Sequence, residues 1–536
     1  MEKRDVVVYS EDYKKLLNAK AYAGKYYEID ERVEEICKEA FKGCDKLEEI
    51  VMPKKLKKID SEAFQGCSSL TKLTLPDSVM SIGKGAFRGC SGLTELTLPN
   101  SVARIDGLAF CGCSGLTELT LPNSVKSIGD GAFADCSGLE KITVESGNSC
   151  YDSRDNCNSI IDKKTNTLIV GCKNSIIPNS VTRIGDSAFA DCSGLTELTL
   201  PNSVASIGDG AFANCSGLEK ITVESGNSCY DSRDNCNSII DKKTNTLIVG
   251  CKNSIIPNSV TRIGDSAFAD CSGLTELTLP NSVASIGDGA FANCSGLEKI
   301  TVESGNSCYD SRDNCNSIID KKTNTLIVGC KNSIIPNSVT RIGDSAFADC
   351  SGLTELTLPN SVASIGDGAF ANCSGLEKIT VESGNSCYDS RDNCNSIIDK
   401  KTNTLIVGCK NSIIPNSVTR IGDSAFADCS GLTELTLPNS VTSIGYAAFR
   451  GCSGLTELTL PNSITSIGDY AFADCSGLSK ITSLAEIPPV CDSEVFDGVN
   501  KTNCELIVPI MSVTAYKQAE VWNEFSNIRG FVGEKK

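Results

Sequence analysis

The chain has 536 residues, 40% of them apolar, with 67 acidic against 50 basic side chains for a formal charge of −17. That balance excludes a surface that captures nucleic acid or anionic lipid by simple Coulomb attraction. Histidine is absent, which removes the commonest general base, the commonest metal ligand and every histidine-assisted nucleophile at once.

The amino terminus, MEKRDVVVYSEDYKKLLNAK, has too short an apolar run for a signal-peptide core, and no segment approaches the 18 apolar residues of a bilayer span. Residues 1–28 are expected to cap the open end of a repeat array that begins at residue 29. Cysteines stand at 44, 67, 90, 113 and 136, each 23 residues after the last, and then at 192, 215, 271, 294, 350, 373, 429, 452 and 475, with gaps of 23 or 56. The longer gap carries a 33-residue insertion, and residues 137–215, 216–294 and 295–373 are identical copies of 79 residues.

A period of this size predicts a solenoid, because one such unit cannot bury its apolar face alone and stacks on its neighbours. In Leu93-Thr-Glu-Leu-Thr-Leu98 the alternation puts Leu96 and Leu98 on one side and Glu95 and Thr97 on the other, which reads as a strand. Pro99-Asn100-Ser101 ends it. Val102, Ile105, Ala109, Phe110 and Cys113 come next, at spacings that suit a short helical or 3₁₀ return with one apolar side. A cysteine fixed three residues after phenylalanine in every unit occupies one column of the stack, where it acts as a small hydrophobe.

Each long unit adds a triplet of cysteines: Cys150, Cys157 and Cys172 in the first. Between the last two, NSIIDKKTNTLIVG reads as a β-hairpin about the Lys163-Lys-Thr-Asn166 turn. Pairing about its centre sets Ile160 against Ile169 and Ile161 against Leu168, and extends to Cys157 against Cys172. In that register Cys157–Cys172, Cys236–Cys251, Cys315–Cys330 and Cys394–Cys409 are candidate disulfides in an oxidising compartment, with a one-residue slip of the hairpin as the competing outcome. No cofactor and no metal are expected. The triplet spacing lacks a CxxC knuckle, and Asp152, Asp155 and Asn156 read as a solvated acidic turn rather than a calcium loop.

The unit, L..L.LP.SV..IG..AF..C..L, resembles the BspA-like family of leucine-rich repeats, and Val144-Glu-Ser-Gly147-Asn148-Ser-Cys150-Tyr151-Asp-Ser153 resembles the family's long units. The fold expected is an α/β repeat solenoid: a parallel β-sheet on one face, short helical, 3₁₀ or irregular returns on the other, and four β-hairpin insertions. Fourteen cysteine-ended units are expected over residues 29–478, with insertions near 145–177, 224–256, 303–335 and 382–414. A C-terminal cap of a last strand, Glu505 to Pro509, and an amphipathic helix bearing Tyr516, Val521, Trp522 and Phe525 is expected over 479–536. The resemblance implies a surface or secreted protein, of bacterial or protozoal kind, that binds host or neighbouring-cell proteins.

The outward strand column offers the binding candidates: Glu95, Thr97, Glu118, Thr120, Lys141, Thr143, Glu197, Thr199, Lys220, Glu276, Lys299, Glu355, Lys378, Glu434 and Glu457. Catalysis needs a few unlike groups converging on one concave spot, whereas these are repeated along a line, which suits many weak contacts acting together. A non-catalytic, adhesin-like protein binder with a protein partner is therefore the first reading, with self-association through hairpins or solenoid ends as an added expectation and no membrane insertion. An intracellular, cytoplasmic interaction scaffold and, more remotely, a carboxylate-based glycan-active enzyme are the alternatives.

Overall fold

The computed structural model describes residues 7–492 and 494–532. They form a β-solenoid of stacked coils in two compact units, Met1–Cys271 with Ile286–Ala290, and Ser272–Ser285 with Phe291–Lys536.

Most coils contribute two strands. The first is the Leu-Thr segment: Glu118–Leu121 lies parallel to Lys141–Val144, with Leu119 and Leu121 buried and Glu118 and Thr120 exposed. The second is only two residues long. Glu35–Ile36, Lys58–Ile59, Ser81–Ile82, Arg104–Ile105 and Ser127–Ile128 run parallel, one per coil, in a seven-stranded sheet that starts with the antiparallel hairpin of Val8–Tyr9 and Lys15–Asn18. Between the strands, the turn serine ties coil to coil: the hydroxyls of Ser101 and Ser124 each donate to the valine carbonyl one coil earlier, at 2.7 Å.

The return from the second strand to the cysteine is irregular, one of the forms expected for it, rather than helical or 3₁₀. Two residues of each return have positive φ, one two places before the phenylalanine and one two places after it: Leu108 (58°) and Gly112 (76°) about Phe110, Ser187 (53°) and Asp191 (59°) about Phe189. Left-handed residues at this spacing break any helix. They also turn alternate amides along the stack, so that the Phe87 and Phe110 amides donate to the carbonyls of Ala109 and Ala132 in the following coil, each at 2.8 Å. Glycine, aspartate and asparagine tolerate this backbone best, which is why one of them precedes the cysteine of every 23-residue unit.

The interior is built of columns. Phe41, Phe64, Phe87, Phe110 and Phe133 stack with ring centroids 5.0 to 5.3 Å apart and nearly parallel planes. All fourteen cysteines of the periodic series are buried. Their thiols also bond: Cys113 donates to the Phe87 carbonyl at 3.3 Å and Cys136 to that of Phe110 at 3.2 Å, one coil back.

At the first end of the stack Tyr22 packs edge-on against Tyr27, and Tyr27 against Phe41. At the other end the helix is shorter than the sequence suggests. It spans Val513–Gln518, and a strand not expected from the sequence, Asn527–Phe531, then pairs parallel to Glu505–Pro509. Tyr516 and Trp522 are fully buried, their polar atoms donating to the carbonyls of Ala485 and Pro489, and Phe496 meets Trp522 and Phe525 edge-on.

Candidate binding surface

All fifteen residues expected on the outward strand column are exposed. Parallel pairing in register places Glu118 beside Lys141 and Thr120 beside Thr143, and the same pairs recur at Glu197–Lys220, Glu276–Lys299 and Glu355–Lys378. The charges meet: Lys141 Nζ lies 3.4 Å from Glu118 Oε2, and the equivalent distances are 3.6, 3.5 and 3.2 Å. Both partners of each pair stay about two-thirds exposed, for example 62% and 70% for Lys220 and Glu197. Pairs this exposed do little for folding. The face is therefore a ladder of neutralised charges flanked by threonine hydroxyls.

The insertion interrupts this face once per long unit. The side chain of Asn158 continues the ladder in place of a strand, its Oδ1 accepting from the Ile142 amide (3.0 Å) and its Nδ2 donating to the Glu140 carbonyl (3.1 Å). Residues 174–177 come next on this face. Ile176 stands two residues before Pro178, as Thr199 stands two before Pro201, so it takes the threonine's place on the face. It is 67% exposed, and Ile255, Ile334 and Ile413 repeat it at 68%, whereas the neighbouring Ile177 is buried. Sequence reasoning missed this isoleucine because alternation does not show which of two adjacent isoleucines faces water; alignment on the proline carries the signal.

Each inserted hairpin departs from the expected register. Asp162 pairs with Thr167 and Ile161 with Leu168, but Ile160 pairs with Val170, so Ile169 forms a bulge. One extra residue reverses the facing of everything beyond it. Cys172 thus packs in the core that holds Phe133 and Cys136, while Cys157 packs in the next one, with Phe189 and Cys192. The candidate disulfides are corrected accordingly: Cys157, Cys172, Cys236, Cys251, Cys315, Cys330, Cys394 and Cys409 are free thiols. Cys172 donates instead to the Asn158 carbonyl, at 3.4 Å. The hairpin turn is fastened by Asp162 Oδ1, which accepts from the amide and hydroxyl of Thr165, and Asn166 takes positive φ.

A second residue that sequence reasoning did not single out holds the insertion to the stack. Asn148 is 1% exposed; its Nδ2 donates to the carbonyls of Pro122 and Val125, and its Oδ1 accepts from the amides of Cys150 and Tyr151. Asn227, Asn306 and Asn385 repeat the arrangement.

Burial pushes the periodic thiols up, those of Cys44, Cys192, Cys350 and Cys475 to about 12 from an ordinary 9.0. Thiols held neutral in this way are poor nucleophiles at ordinary pH. On the turn edge, burial and the neighbouring Asp135 carboxyl raise Asp191 to about 7. Among the described residues no cluster of three His, Cys, Asp or Glu side chains could hold a metal, and no helix is long and apolar enough to cross a membrane.

The coil, its phenylalanine and cysteine columns and its outward strand ladder define a leucine-rich-repeat solenoid. The pattern of the BspA type leucine rich repeat region matches residues 34–161, 159–249, 238–329, 317–407 and 396–506, and the chain belongs to that family. Among solved structures it is similar to a leucine rich cell surface protein of Faecalibacterium prausnitzii, at 26% identity over 82% of this chain and 92% of that one, with a TM-score of 0.39. It is similar too to the pneumococcal vaccine antigen PcpA, at 20% identity over 82% and 76% with a TM-score of 0.39, and to a leucine-rich repeat protein of Bacteroides ovatus, at 22% over 98% of both with a TM-score of 0.31. None of the curated proteins matches.

Proposed function

We propose that this chain is a non-catalytic scaffold that binds another protein through its outward strand face. The observation that carries the reading is the ladder itself: identical, exposed and mutually neutralised Glu–Lys pairs beside threonines, recurring in register within each unit. Folding gains little from such pairs, and a surface of many equal contacts is suited to avidity rather than to turnover. Membership of the BspA-type family adds the expectation of a cell-surface or secreted, adhesin-like role, with a host matrix or neighbouring-cell surface protein as partner.

The test is capture from matrix and bacterial surface extracts by the full chain beside two variants. In one, Glu118, Glu197, Glu276 and Glu355 become alanine together; in the other, the four hairpins are shortened. Loss of capture in the first variant, at an unchanged melting temperature, supports the strand face. Loss only in the second moves the site to the hairpins and overturns it.

A further inference from the structure

We propose that the first insertion is closed by a proton-operated clasp: Asp135 and Asp191, one from each coil flanking it, share a proton that holds the two coils together, and they part when it leaves.

The insertion leaves a notch in the return edge of the stack. Leu168 pairs with Ile184, and Gly171 takes the place of Phe189, its amide donating to the Ala188 carbonyl as that of Phe189 donates to Ala211. Phe189 comes five residues after Ile184, but Gly171 only three after Leu168, so the insertion has nothing to set beside Asp186 and Ser187. The backbone ladder breaks here. The amides of Leu108, Phe110 and Gly112 donate to the next coil at 3.1, 2.8 and 2.9 Å, whereas those of Gly131, Phe133 and Asp135, in the same places one coil on, make no hydrogen bond among the described residues. A small cavity lined by Phe133, Val170, Gly171 and Ala188 lies between the flanking coils.

Across this notch the carboxyl groups of Asp135 and Asp191 hydrogen-bond to each other. Ionised carboxylates only accept, so the contact requires one of the two to keep its proton. Each has an oxygen engaged by a neutral donor on its own side: Asp135 Oδ2 takes the Cys111 thiol at 3.4 Å, and Asp191 Oδ1 takes Asn214 Nδ2 at 2.7 Å. Around the pair, burial keeps the Cys136, Cys192 and Cys215 thiols neutral, Lys173 is paired with Glu140 at 2.6 Å, and Arg88 acts on the Cys111 thiol. Asp270 adds a weaker repulsion to Asp191. Burial first, and the bond to Asp135 next, hold Asp191 neutral up to about 7. Release of its proton to water leaves two carboxylates in contact where no backbone bond spans the notch, and like charges at that distance repel.

The later insertions lack the device. Asn214, Asn293 and Asn372 stand where Asp135 stands, opposite Asp270, Asp349 and Asp428, so each of those notches has one carboxyl and no second one to share a proton with. Asn214 and Asn372 turn their amides back to Asp191 and Asp349 instead, at 2.7 and 2.9 Å. The chain therefore responds to pH at one insertion of the four.

Hydrogen exchange of the full chain from pH 5 to 8.5, with exposure times scaled to the intrinsic rate at each pH, tests the clasp. Segment 105–116 reports on it, since its sequence occurs once and its Leu108, Phe110 and Gly112 amides bond to the coil that carries Asp135. In the wild type its opening is expected to increase about tenfold per pH unit up to about pH 7 and to level off above, as release of one proton requires. Asp135→Asn, which gives the first notch the side chain of the later ones, is expected to fold and to lose that slope. Exchange in this segment that is flat with pH in the wild type, or that keeps its slope in Asp135→Asn, overturns the proposal.

Discussion

Cys113 shows what a thiol offers that a methyl group does not: it is fully buried in its column and also gives the Phe87 carbonyl a donor. Phe110→Ala should cost about 3–5 kcal/mol, because the ring lies between two others with no room for collapse. Cys113→Ala should cost about 1 kcal/mol, the usual worth of one hydrogen bond. Thermal melts of both variants check the ranking, and wild-type melting of Phe110→Ala would contradict it. At the turn edge, Asp191→Asn should raise the melting temperature most at pH 8, less at pH 5, and leave it nearly unchanged at about pH 3. The unfolded carboxyl ionises above its ordinary 3.8, while burial and Asp135 hold the folded one neutral up to about 7, so the stability of the aspartate form is lost between those two values as pH rises. Asparagine is suited to the site, since Asn214 has the same backbone there, with φ 58°. The columns themselves were legible from the period, because any residue at a fixed place in equal coils must line up. The positive-φ pair about each phenylalanine was not, since Leu108 or Ser187 gives no local sign of it.

At the scale of elements, the insertion is a coil without its phenylalanine. Gly171 donates its amide to the Ala188 carbonyl as a phenylalanine would, and a Cβ there would run into the Phe189 ring, which occupies the space. Gly171→Ala is expected to cost about 1–3 kcal/mol by forcing that ring aside. Asn148→Ala should cost at least about 1–3 kcal/mol, since it leaves two buried carbonyls and two amides without partners. Denaturant unfolding measures both. The hairpin was legible from its two apolar runs and polar turn, and two of its three pairs follow from the turn's centre. The bulge at Ile169 was not legible, because either register buries isoleucines; only packing against two different cores decides between them. The return segments misled for a related reason: apolar spacings of three and four suit a helix, yet here they arise from successive tight turns.

For the whole molecule, the thirty cysteines set both chemistry and pH range. Below about pH 9 the buried thiols are neutral folded or unfolded; between about 9 and 12 they ionise only in the unfolded chain. Stability should therefore fall steeply with pH across that window, by about 1.4 kcal/mol per pH unit for each thiol ionised on unfolding. Urea titrations at pH 8, 9.5 and 10.5 read the slope. The family and its solenoid were legible in the repeat, as was the outward column of glutamate, lysine and threonine. The exposed isoleucines were not, because their facing depends on how the insertion rejoins the stack.

Native-state thiol alkylation, followed residue by residue, tests most directly whether like residues form continuous interior columns. Cys37, Cys150, Cys229, Cys308, Cys387 and Cys491 are partly exposed and should react first, while the fourteen cysteines from Cys44 to Cys475 in the periodic series, together with the hairpin pairs, should react only on unfolding. Rapid labelling of the periodic series in the folded chain would contradict the account.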